Sequence, residues 1–425
     1  MNKSEIPKSW VYTAFFHLLI VALIGCLLRL MFVSPVTCVT YKYILHAHSH
    51  VAFLGWVFSA IMILLLKTWL PGSISKFRSL FWAIQFSVVG MLITFPIKGY
   101  FLWSIIFSTL HMVLATIFAI RFYLKTKSKI QKGRTYDLKF IYWGFIFMII
   151  SSIGPFALGY LMANNMGGSD WYSLSIYFYL HFQYNGFFTF ILIGLLIYFL
   201  SSRGIDFSKK KLKLIFYLMV ISCFLSFFLS TTWVWKNIYV YAISLISGIL
   251  QLYAFLLIIT ELIRNVKPSR TKFGRSSTLL ISISLVILML KGILQLLTAF
   301  PYFAELALVY RELVIGYLHL VFLGLITPLL FAYLLIQKSI IANLYFRIGI
   351  LIYFTAFIFT EILLFGESLY RAYFSNSLPY YFDLIFGASC LFPFAIFIML
   401  ISQHSSIIFS YKRQGNKKEK CLGPI

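Results

Sequence analysis

Apolar residues run along this chain in blocks of about twenty or longer, and short polar stretches separate the blocks. A helix needs about that length to cross some 30 Å of hydrocarbon. The pattern predicts spans at roughly 10–33, 45–70, 78–97, 101–123, 138–163, 171–200, 211–235, 238–264, 277–300, 304–336, 341–366 and 380–405. The expected fold is therefore all-α and integral to the membrane, one polytopic domain of about twelve transmembrane helices over 1–425. The first block runs from Trp10 to Val33 without a small-residue cleavage site, which reads as a retained span and not a removed signal peptide.

Composition supports this reading. Of 425 residues, 61% are hydrophobic and 11% charged, whereas a soluble domain needs about 25% charged residues to cover its surface. The net charge of +25 invites a nucleic-acid reading, but the cations lie in loops between spans, which excludes it. Lys125, Lys127, Lys129, Lys132 and Arg134 follow the fourth span; Lys209, Lys210, Lys211 and Lys213 follow the sixth. Arg264, Lys267, Arg270, Lys272 and Arg275 follow the eighth, and Lys412, Arg413, Lys417, Lys418 and Lys420 form a basic tail over 412–425. The intervening loops hold most of the acids, including Asp170, Glu305, Glu367 and Asp383. The positive-inside rule then puts both termini in the cytoplasm, and the expected location is a bacterial inner membrane with the lipid bilayer as surroundings. Cys26, Cys38, Cys223, Cys390 and Cys421 form no Cys-x-x-Cys and read as packing residues.

Histidine changes the picture. His46, His48 and His50 cluster at the start of the second span, His181 lies in the sixth and His319 in the tenth, while His17, His111 and His404 stand alone. His50-Val-Ala-Phe-Leu-Gly55, His181-Phe-Gln-Tyr-Asn-Gly186 and His319-Leu-Val-Phe-Leu-Gly324 share one pattern, His-x-x-x-x-Gly. The copies stand 131 and 138 residues apart (181 − 50 and 319 − 181), four spans each time, which predicts three pseudo-repeated four-helix arcs over roughly 1–135, 136–270 and 271–411. A single membrane histidine is as readily a hydrogen-bonded packing residue; three at a constant period favour a shared ligand role. At 1.5 Å per residue, His181 and His319 lie about 15–20 Å below the outer boundary, with His50 shallower. Polar groups at such depth are costly unless they pair or bind something. Neutral imidazole suits iron, copper and zinc, and two imidazoles on facing helices can clamp a heme. A glycine nearby lets the porphyrin or a neighbouring helix approach. Positions i and i+2 point about 200° apart, so His48 and His50 face opposite ways while His46 and His50 share a face. His46 reads as a residue capping or solvating the helix end.

The stretch His48-Ser-His50-Val-Ala-Phe-Leu-Gly55-Trp56 resembles the His-x-His-x-x-x-Leu-Gly-Trp stretch of the heme-copper oxidase catalytic subunit, closest to its cbb-type oxidase and nitric oxide reductase branches. That subunit also has twelve spans, cytoplasmic termini and ligands on its second, sixth and tenth helices. The resemblance implies a heme held by His50 and His319, with His48 as the alternative on the second span, and a metal position, possible copper, at His181. The chain departs from the family in three places. The His-x-His pair lies on the second span instead of the tenth, the seventh carries no histidine for a copper site, and Tyr184 follows His181 by three residues instead of four. This looks like a divergent relative. NnrS-like proteins, with a His-Ala-His opening like His46-Ala47-His48, are another neighbour.

Arg29, Lys98, Lys291 and Arg311 lie near the outer side, either as snorkelling helix ends or as partners for heme propionates, Lys291 and Arg311 above all. Glu312 and Glu361 form a proton path or pair with those cations, and Pro328 should kink the tenth span below His319. The expected function is electron transfer or chemistry on a diatomic gas (O2 or NO), with a redox partner or accessory subunits. No residue is marked as catalytic. A twelve-span secondary transporter, or a metal-handling protein using His46–His50, is the competing class.

Overall fold

A computed structural model describes residues 5–130, 136–265 and 273–419, with 404–419 as backbone only. The loop cations Lys132, Arg134, Lys267, Arg270 and Lys272, the charged side chains of the tail, His404 and Cys421 fall outside what is described.

The protein is an all-α, multi-pass membrane protein, and among the described residues there is no strand. Among the described residues twelve helices are long and apolar enough to cross a bilayer. They are α1 (Lys8–Val33), α2 (Tyr41–Trp69), α3 (Pro71–Lys98), α4 (Leu102–Ile130), α5 (Tyr136–Ala163) and α6 (Asp170–Ser201), then α7 (Lys209–Ser230), α8 (Ile238–Asn265), α9 (Arg275–Leu297), α10 (Arg311–Ile336), α11 (Leu344–Phe374) and α12 (Tyr381–Gln403). Helices are the natural solution because lipid offers no partner for a free backbone N–H or C=O. The predicted tenth span is cut short at its start. Pro301–Val309 forms a separate helix, and Tyr310, at φ −105° and ψ 95°, breaks the run before α10. Conversely, α2 begins four residues before its predicted start, which places His46 inside the helix and not at its end.

Burial singles out three spans. In their most apolar windows, α2, α6 and α10 are 83%, 83% and 78% buried, whereas the next highest, α3, reaches 56%. These are the three spans that carry the His-x-x-x-x-Gly motif. They are also interrupted in the same way. Tyr41–His50, Asp170–His181 and Arg311–His319 are α-helical, and each gives way to a seven-residue π-helix at Val51–Val57, Phe182–Phe188 and Leu320–Ile326. The motif histidine is the last α residue each time, and the motif glycine is the fifth residue of the π-turn. A π-turn holds one residue more than the α geometry allows, so it re-aims the side chains beside it and frees carbonyls. Pro328, two residues past the third turn, lacks an N–H and suits such a break.

Each π-turn packs against the span just before it, α1, α5 and α9 respectively. Helices in lipid associate through close packing, and small residues permit it. A Cβ on Gly186 would lie 2.5 Å from Cβ of Phe147 on α5, and one on Gly55 would lie 3.0 Å from Cγ of His17 on α1. In these two copies the motif glycine makes room for a neighbouring helix.

By contacts, the chain divides into two compact units: residues 1–111, 333–363 and 377–425 form the first, and 112–332 with 364–376 the second. The division does not follow the three sequence repeats. The first π-turn belongs to the first unit and the other two to the second.

Candidate functional site

In the first unit, His50 stands nine residues after Tyr41, within its own hydrogen-bonded frame. Its Nδ1 lies 2.9 Å from the His46 carbonyl oxygen, which can only accept, so Nδ1 carries the proton and donates. Nε2 of the neutral ring is then a bare lone pair, met by the Tyr100 hydroxyl at a long 3.4 Å. A metal-ligating histidine commonly gives its other ring N–H to a backbone carbonyl in this way, which fixes the tautomer and the ring orientation. Phe95 and Tyr100 line this face: the His50 ring lies 4.3 Å from the Phe95 centroid, and the His46 ring 4.7 Å from that of Tyr100. His46 and His50 thus share a face, as their spacing requires.

His48 points the other way. Its Nδ1 donates to the Val21 carbonyl on α1 at 3.1 Å, and its ring sits where a Cβ on Gly25 would come within 3.2 Å. One helix therefore presents histidines to two separate environments. Two further histidines join the first π-turn although their sequence positions set them apart. His17 on α1 hydrogen bonds to the Gly55 backbone and His111 on α4 to the Leu54 backbone. Both are buried, and they satisfy backbone groups at the π-turn, a direct outcome of its irregular bonding.

In the second unit, His181 occupies the same repeat position with the opposite outcome. Its Nε2 donates to the Cys223 carbonyl on α7 at 2.8 Å, and its Nδ1 accepts from the Asn185 amide at 3.1 Å. Both ring nitrogens are occupied by protein groups. The network continues through Asn185 to Tyr184 and from Tyr184 to Tyr317 on α10. Tyr317 donates to Oε1 of Gln295 at 3.2 Å, and that oxygen also accepts from Nζ of Lys291 at 3.0 Å. The Lys291 ammonium lies 5.4 Å from the Phe255 ring centroid. Lys291 is fully buried, and its amine reaches along its own helix to Gln295, one turn nearer the span end. Arg311 and Lys98 are exposed at the ends of α10 and α3, as snorkelling cations are. Glu312 pairs with Arg371 at 3.4 Å.

His319 is half-buried and stands eight residues after Arg311, against nine for His50 and eleven for His181. At 1.5 Å per residue the three lie about 12–17 Å into their helices, a closer match in depth than the sequence suggested. Among the described residues no group of three or more histidine, cysteine or carboxylate side chains is arranged to hold a metal ion. With His181 engaged at both nitrogens, a copper position there does not fit. The tautomer of His50, with Nδ1 bonded to a carbonyl, is the one that would suit a ligand to heme iron.

In comparisons with known proteins, no family model matches the chain and no curated protein matches it either.

Proposed function

We propose that this protein is an integral membrane heme protein with an oxidase-like layout, acting in electron transfer or in chemistry on O2 or NO. The observation that carries the reading is the thrice-repeated step from a histidine into a π-turn on the three most buried spans, with Nε2 of His50 facing the Tyr100 hydroxyl at a long 3.4 Å. π-Turns gather at functional sites because they aim side chains that a regular helix cannot. His50 would hold the iron of a bound heme, and its posture suits that role. His319 would be the second ligand by its place in the repeat, and that assignment rests on the sequence. Bound heme would supply a one-electron couple and an iron able to meet a diatomic ligand. Electron transfer calls for a redox partner or accessory subunit. The basic loops support a bacterial cytoplasmic membrane with both termini inside.

The test is an optical spectrum of the protein purified from a heme-replete host, oxidised and reduced. A six-coordinate, low-spin heme spectrum is expected, and it should vanish in His319→Ala because one imidazole does not hold both axial positions. Protein that carries no heme absorbance removes the reading and favours the transporter.

A further inference from the structure

Four carboxylates set within or beside the spans pair with a cation. Glu261 pairs with Lys211 and Arg264, Glu305 with Lys236 at 3.1 Å, and Glu312 and Glu367 with Arg371. Glu361 is different. It lies 17 residues after the start of α11 and 13 before its end, near the middle of the span. Its exposure is 9%, and neither carboxylate oxygen has a hydrogen-bond partner. Arg29 on α1 is the charged group that acts on it electrostatically, without closing an ion pair. Arg29 also acts on His48, so this region lies on the side of α2 turned away from the His50 face.

An ionised carboxylate stripped of water and given no donor is among the most unfavourable groups a membrane interior can hold. Such a group must bind a cation. A hard metal ion requires six or so oxygen ligands, and among the described residues no group of three or more histidine, cysteine or carboxylate side chains is gathered to hold one. A proton needs one lone pair. We propose that Glu361 is a proton-binding carboxyl at the middle of α11, with Arg29 as the fixed positive charge that opposes the bound proton. Ionisable residues inside membrane spans commonly mark proton routes, and this one lies apart from the candidate heme ligand.

The experiment uses the full-length protein in liposomes and dicyclohexylcarbodiimide, a small apolar reagent. A protonated carboxyl adds across one C=N bond, its proton passing to nitrogen, and the O-acylisourea rearranges to a stable N-acylurea with nothing lost. The expected result is a single adduct on the peptide containing Glu361, absent in Glu361→Gln. Arg29→Gln should extend labelling to higher pH, because the opposing charge is gone. A protonated-carboxyl infrared band that shifts in D2O and disappears in Glu361→Gln gives a second readout independent of reagent access. Absence of that band, or an adduct on other carboxylates with Glu361 untouched, overturns the proposal. The heme spectrum of Glu361→Gln should equal that of the unaltered protein, so failure here is separable from failure of the heme reading.

Discussion

The first and second π-turns begin alike, with a histidine at the last α residue and a glycine five positions later, yet their histidines do opposite things. His50 gives its Nδ1 proton to a carbonyl of its own helix, and its Nε2 faces the Tyr100 hydroxyl at a long 3.4 Å. His181 gives its Nε2 proton to Cys223 on α7 and closes Nδ1 with Asn185. The two rings are in opposite tautomers, set by which carbonyl lies within reach. A repeated backbone device thus fixes where a histidine stands, and the neighbours decide whether it remains a ligand. Asn185 is the residue that makes the difference: the position four after His50 is Leu54, which has no amide to offer.

The largest effect that separates the two turns is spectral. His50→Ala should abolish the low-spin heme signal entirely, while His181→Ala should leave it intact; equal loss in both would erase the distinction. Next is stability. His181→Ala takes one partner each from the Cys223 carbonyl and the Asn185 amide in an apolar interior, a loss of about 1–2 kcal/mol, read as earlier thermal unfolding in detergent. Glycine substitutions give the smallest differences. Gly186→Ala drives a methyl into Phe147 and should cost about 1–2 kcal/mol, whereas Gly55→Ala meets the His17 ring at a longer distance and should cost less than about 1 kcal/mol. A reversed order would mean that the first turn is the more tightly packed.

The twelve spans were readable because hydrophobic length is almost the only thing a bilayer demands of a helix. The repeat was readable too, through three histidines and three glycines. What the sequence did not display were the π-turns themselves. Val51–Val57 and Leu320–Ile326 are apolar runs like any other, and an α turn and a π-turn differ in one extra residue of backbone, not in composition. For the same reason His17 and His111 looked isolated; their partners are backbone groups that only the irregular turn makes available. A signal did exist, since each is a lone polar residue deep in an apolar span. The break at Tyr310 was hidden because Pro301–Val309 is itself apolar and helical. Copper at His181 failed on a contact with α7 that lies 42 positions away in the chain.

The first unit joins the beginning of the chain to its end: α1 packs along α12, and the Cys26 thiol donates to the Ser389 carbonyl at 3.2 Å. α2 joins α1 soon after it is made, whereas α12 is made much later, so α1 waits long for one of its two chief neighbours. The second unit is nearly continuous, 112–332, and can gather itself while translation proceeds. Most of the second unit can thus consolidate while the first still lacks the helix that closes it against α1.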